Sequence, residues 1–138
     1  MNANSDSMKI EAAPVPDAER IVTLPNHFGR HCLTVEDAIY HWLRELSEDY
    51  QGGYWHFYEL STGGFYMAPE SESLRLRVDG NRHEGTLSGD AAGITACLFA
   101  FSHLSFRFRD ETFSRHFHWL REFATEHREA SAIFAATD

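Results

Sequence analysis

The clearest periodicity in the chain begins after residue 34. Val35, Ile39, Trp42, Leu43, Leu46 and Tyr50 recur at helical spacing, with Glu36, Asp37, Arg44, Glu45 and Glu48 on the opposite side. This pattern predicts an amphipathic helix. Thr34 is placed to cap it, Glu36 and Asp37 sit near the positive end of its dipole, and Gly52 and Gly53 supply a stop. The period then changes from 3.6 to 2. In YWHFYEL, Tyr54, His56, Tyr58 and Leu60 face one way and Trp55, Phe57 and Glu59 the other; Ser61 to Gly64 turn the chain, and Phe65 to Met67 pair back. LRLRV alternates Leu74, Leu76 and Val78 against Arg75 and Arg77, Asp79-Gly80-Asn81 is a turn, and HEGTL follows as a fourth, weaker strand.

Beyond the strands the helical period returns. Ser88 or Asp90 can cap a helix whose body, AAGITACLFAFSHL, is apolar almost all round, which marks it as the central buried helix. Gly93 within it costs up to about 1 kcal/mol of helix propensity against Ala, so close packing is its expected role. Asp110 and Glu111 open a last long helix with Phe113, Phe117, Leu120 and Ala124 on one stripe, widened by Phe123, and a short helix or turn from Glu129 to Ala136 ends the chain. Residues 1–20 are polar, carry Pro14 and Pro16 and keep no period, which predicts a flexible tail; residues 21–31 read as a connector. The expected fold is α+β, a single domain over residues 21–138. In it a small antiparallel meander of three to four strands packs against about four helices.

Composition refines this picture in two ways. Aromatic residues make up 14% of the 138, eleven of them Phe, so the core should be Phe-rich. The formal net charge of -9 argues against a protein that neutralises phosphates with clustered Lys and Arg, so nucleic acid is not expected as a tight direct ligand. Cys32 and Cys97 form neither a C-x-x-C pair nor a secretory framework, and no apolar run follows a basic N-terminus, which points to the cytoplasm. The most apolar stretch, Ala91 to Phe101, falls short of the ~20 residues needed to cross a bilayer, so no membrane association is expected.

Candidate chemistry centres on nine histidines. His27 and His31 are four apart in HFGRH, yet Gly29 lies between them and they precede the predicted helix, so the shared helical face of a zinc pair is not assured. His116 and His118 are two apart on a helix and diverge. H-E-x-x-H, G-x-S-x-G and both glycine-rich phosphate loops are missing from the sequence. No catalytic residue, cofactor or metal is therefore expected, with the HFGRH histidines the best metal candidates.

The runs LPNHFGRHCLTVEDAIYHWLRELSEDY, GGYWHFYELSTGGFYMAP and LSGDAAGITACLFAF together resemble the plasmid-borne antirestriction proteins of the ArdB/KlcA type, and the similarity extends from about Ile21 to the terminal AIFAATD. The resemblance implies a small cytoplasmic protein that relieves restriction of incoming unmodified DNA by type I restriction-modification enzymes. The direct partner is then the restriction enzyme or an associated host factor. That family usually carries Asn where this chain has Thr62, and Thr tolerates positive φ poorly, so either the turn geometry differs or Gly63 and Gly64 take the positive angles.

Charge tests whether such a protein poses as DNA. Of the net -9, the first twenty residues hold -2 (Asp6, Glu11, Asp17 and Glu19 against Lys9 and Arg20), leaving -7 for residues 21–138. A domain about 35 Å across would have to match roughly 20 phosphate charges of duplex. Full mimicry is disfavoured, and interference by protein–protein contact is the leading expectation. The candidate surface is His27, Arg30 and His31, the outward hairpin residues among Tyr54, Tyr58 and Tyr66, and Asp138, because exposed aromatics and Arg dominate interfaces. Against this, aromatics at a sheet packed by helices are more often core. Two other classes stay open: a metal-dependent hydrolase or nuclease using the HFGRH histidines, and a single-stranded nucleic-acid binder that stacks bases on the hairpin.

Overall fold

The computed structural model describes residues 9–138. Strand β1 (Ala12–Pro14) leads through a 3-10 turn (Asp17–Glu19) into helix α1 (Arg20–Phe28), a second 3-10 turn (Gly29–His31) and helix α2 (Cys32–Leu46). Strands β2 (Trp55–Leu60), β3 (Phe65–Pro69), β4 (Leu74–Val78) and β5 (His83–Leu87) follow, then helices α3 (Gly89–Phe108), α4 (Glu111–Ala124) and α5 (Ala130–Thr137). The expected α+β character holds, with five helices among the described residues.

The N-terminal segment differs from expectation. Residues 1–8 of the anticipated tail lie outside the described residues. Ala12, Ala13 and Pro14 pair antiparallel with Leu60, Glu59 and Tyr58, so β1 forms an edge of the sheet, a position that tolerates Pro14. The expected connector is helix α1, with Pro25 inside it. Thr23 Oγ1 donates to the Glu19 carbonyl at 2.7 Å, and Gly29, at φ 54°, turns the chain into α2. Helix α2 therefore starts two residues before Thr34, which is not its cap, and it ends at Leu46 rather than at the glycines. Gly52 and Gly53 take φ of 87° and 113° in the loop beyond, where Tyr50 accepts a hydrogen bond from Trp55 Nε1 at 2.8 Å.

The strands form two antiparallel sheets in place of one meander: β1-β2-β3 and the hairpin β4-β5. The cause is α3, which occupies the free edge of β3. Met67 lies opposite Phe57 in the β2-β3 ladder, and its carbonyl accepts from Cys97 Sγ of α3 at 3.6 Å. A Cβ built on Gly93 would lie 2.5 Å from the Ala68 Cα and from the Met67 carbonyl oxygen. With the helix this close, β4 cannot extend the sheet, and the edge is covered rather than left to pair elsewhere. The close-packing role expected for Gly93 is thus found in the structure. In the β2-β3 turn Gly63 takes the positive φ, 108°, under the Trp119 ring.

Helix α3 is the axis of the core. Ser88 caps it, its Oγ accepting the Ala91 amide at 3.1 Å, and twelve of its residues are buried. By length and composition it could cross a bilayer, yet most of its most apolar window is buried inside the fold. Helix α4 is capped by Asp110, which accepts the Thr112 amide at 2.9 Å and lays Phe113, Leu120 and Ala124 against the same core. His116 also lies there, 3% exposed, its ring 4.5 Å from Phe28 and 5.7 Å from Phe101, and its Nδ1 has no hydrogen-bond partner.

Two outcomes follow. Gly93→Ala gains helix propensity but sets a methyl into the β3 backbone, so denaturant unfolding should show a net loss of about 1–3 kcal/mol, as for overpacked cores; equal or higher stability would show that α3 does not lie this close. Burial, aided by the nearby His27 and Arg115, holds the His116 imidazole down to about 3 from 6.5. Between those values the unfolded chain binds the proton and the folded chain does not, so this residue's contribution is complete above pH 6.5 and is lost as pH falls toward 3. Stability of His116→Leu measured against pH should lack that part of the acid slope; an unchanged slope would mean that His116 is charged in the fold.

Candidate interaction surface

The seven candidate residues do not form one surface. His27, on α1, turns inward: its ring lies 5.3 Å from Phe65 and 5.0 Å from His116, and its Nε2 meets Glu59 Oε1 of β2 at 2.8 Å. His31 faces another way, packed on Phe108 at 4.7 Å and Phe113 at 5.5 Å, while Arg30 between them is exposed. The HFGRH histidines thus share no face. Among the described residues no three His, Cys, Asp or Glu side chains are grouped to hold a metal ion. Asp138 lies near Arg121, 3.7 Å away, in a separate depression with Phe99 and Phe117.

The hairpin tyrosines divide as well. Tyr58 and Tyr66 are opposite each other in the β2-β3 register and stack at 4.7 Å and 18°. Phe123 of α4 stacks on Tyr66 at 5.6 Å, leaving it 2% exposed, so Tyr66 belongs to the core and not to the surface. A pair of rings already stacked on each other and covered by a third is not a platform for bases. Tyr54, at 49%, is the exposed member.

Tyr66 anchors a polar network at the start of α3. Its hydroxyl donates to Asp90 Oδ1 at 2.8 Å, and His127 Nε2 meets Asp90 Oδ2 at 2.8 Å. Because His127 Nδ1 accepts the Glu129 amide at 2.9 Å, the ring proton sits on Nε2 and is donated to Asp90. Burial pushes the Asp90 carboxyl up, but the His127 and Tyr66 hydrogen bonds outweigh it and hold the group below its ordinary value. Burial beside this carboxylate drives the Tyr66 phenol far above its usual range. Ser88 donates to Glu129 Oε2 while accepting the Ala91 amide, so its hydroxyl is committed to the cap. Burial raises the Cys97 thiol to about 12. Neither group is an activated nucleophile.

The exposed apolar residues gather elsewhere, at a groove of about 570 Å³ between α1, the start of α2 and the first residues of the hairpin. Leu24, Pro25, Cys32 and Phe57 form its walls, and Asp17, Arg20 and Glu36 its polar positions. Ile21, Leu33 and Tyr54 line it at 85%, 71% and 49% exposure. Of the five large apolar side chains exposed among the described residues, three line this groove, and Val22 and Phe106 do not. Sequence reasoning picked out Tyr54 alone. The available signal was Leu33, which sits two residues before Val35, roughly 200° around the helix from the buried stripe.

Comparison with known proteins agrees with this architecture. Residues 48–138 match the family model described as antirestriction protein. Antirestriction protein KlcA of Escherichia coli is 45% identical over 142 residues, covering 98% of this chain and 99% of that protein. The uncharacterized protein YafX of Escherichia coli strain K12 is 39% identical, covering 99% of this chain and 93% of its own. A solved structure, 43% identical with a TM-score of 0.86, covers 94% of this chain and 95% of its own. It comes from work describing KlcA and ArdB as having a novel fold and antirestriction activity against type I DNA restriction systems in vivo but not in vitro. The chain therefore belongs to the antirestriction protein family.

Proposed function

We propose that this protein relieves type I restriction of incoming unmodified DNA, acting in the cytoplasm by contact with another protein rather than by catalysis or by posing as a duplex. The observation that carries the proposal is likeness along nearly the whole chain, at 43% identity and a TM-score of 0.86, to a structure whose activity is against type I systems. Three features of the chain support the mode of action. The HFGRH histidines diverge, Ser88 and Cys97 are not activated, and a charge of -7 over residues 21–138 falls far below that of a matching duplex.

That the related proteins act in vivo but not in vitro bears on the partner. A competitor for the enzyme's own DNA-binding surface would need nothing but enzyme, DNA and inhibitor. We therefore assign the contact to a host factor on which restriction in the cell depends. The test is plating of unmodified phage on a type I restricting strain while expression of the protein is titrated. Plating efficiency should rise by one or more orders of magnitude, and only once the protein is abundant enough to match its target. Unchanged restriction across several type I systems would refute the function, and full relief from a few copies per cell would point to turnover.

A further inference from the structure

The groove beside Tyr54 combines features that together specify an occupant. Its exposed apolar side chains, Ile21 and Leu33, come from two different helices and face one concavity with Tyr54 on its rim. Patches of this kind mark contact sites when they are contiguous and rimmed by polar groups. Arg20, the cation in the lining, is already engaged: its guanidinium carbon lies 4.2 Å from the Phe57 ring centroid and 4.7 Å from that of Tyr54. The lining carboxylates are held more loosely. Asp17 accepts the Tyr54 hydroxyl and Glu36 that of Tyr40, each at 3.3 Å, distances at the long end for O–H···O bonds. Glu19 and Asp37 stand exposed one turn or less along the chain.

We infer that the groove docks a protein segment that presents an apolar face flanked by Lys or Arg, the apolar side chains entering between Ile21, Leu33 and Tyr54 and the cations meeting Asp17 and Glu36. Charge decides against the other occupants. A phosphate backbone would face these carboxylates on a chain of net charge -9. A second copy would bring one acidic rim against another, which association penalises. A basic and apolar segment meets neither obstacle. It is also what proteins that handle DNA carry on their surfaces, which suits the antirestriction reading on which the partner's class rests.

Fluorescence anisotropy of a labelled amphipathic helical peptide of leucine and lysine tests the groove directly, with a counterpart in which glutamate replaces every lysine. The full chain is compared with Ile21→Glu, Leu33→Glu and, away from the groove, Phe106→Glu. The Leu/Lys peptide should bind the wild type and Phe106→Glu alike and bind each groove variant about tenfold more weakly, a hot-spot-sized loss. This loss is expected although both substitutions add negative charge, which by itself would strengthen attraction to a cationic peptide. The Leu/Glu peptide should bind about tenfold more weakly than the Leu/Lys one. Equal binding by the groove variants, or by the acidic peptide, would overturn the proposal. So would a wild-type dimer in sedimentation that Leu33→Glu dissolves, because the occupant would then be a second copy. In restricting cells, Leu33→Glu with unchanged melting temperature should lose relief; full relief by that variant would overturn the groove's role there. If the wild type itself gives no relief, the antirestriction reading fails and the anisotropy result alone decides the groove.

Discussion

The close approach of helix α3 to strand β3 is the constraint from which the rest of the structure follows. A helix and a strand normally keep a side chain's width between their backbones, but Gly93 removes it, and the place of a Cβ is taken by the backbone at Met67 and Ala68. Gly89, one turn earlier, does the same at Pro69 and Ser71, and its amide donates to the Ser71 carbonyl at 3.1 Å. Two helix-weakening residues are tolerated because α3 is buried almost all round and draws its stability from packing rather than propensity. With α3 at its edge, β3 is enclosed on all sides. Every one of its five residues is buried, and β4 and β5 must form a hairpin of their own.

The same approach places Asp90, in the first turn of α3, beneath the hairpin tyrosines. A half-buried carboxylate is costly unless it is bonded, and here Tyr66 and His127 each supply a donor while the positive end of the helix adds to them. One network thereby ties the hairpin, the central helix and the segment before α5. The aromatic hairpin is consequently structural across most of its length: Trp55, Phe57, Phe65 and Tyr66 are buried, and Tyr58 is held by stacking. What looks in sequence like an aromatic binding surface is mainly the means by which a small sheet is fixed to its helices.

How much of this was legible in the sequence depends on whether a feature is local. The alternation of Leu74 to Val78, the cap before α3, offered by Ser88 or Asp90 and supplied by Ser88, the opening of α4 at Asp110 and Glu111 and the apolar α3 are short-range patterns, and the structure realises them. Helix α1 was missed because residues 21–31 read as a connector, whereas Pro25 stands in a nine-residue helix held by its packing face, Leu24 and Phe28. The end of α2 was misplaced because Tyr50 continues the period by chance. Its ring instead belongs to Trp55 across a loop, and periodicity carries no information about such a contact. The break of the meander was invisible for a similar reason, since strand signals say nothing of whether a helix or another strand takes an edge. Of the candidate surface, Tyr66 and His27 were lost to tertiary packing, and the groove was missed because Ile21 and Leu33 are unremarkable until two helices bring them together.

The division of labour between the two apolar regions finally bears on how an acidic protein of this size engages a partner. Its buried aromatic residues are concentrated around α3 and hold the fold. Its exposed aliphatic residues lie on α1 and α2, whose junction turns at Gly29, a residue of positive φ, between the packed rings of Phe28 and His31. Binding at a surface that is already helical and already bare of apolar cover requires little reorganisation, which is where association otherwise loses most of its free energy. The surrounding carboxylates contribute selection and encounter rate more than affinity, because they repel nucleic acid and copies of the chain itself while drawing in cationic surfaces. Acidity in this protein is thus better understood as a filter on what may approach an apolar groove than as a copy of the charge of DNA.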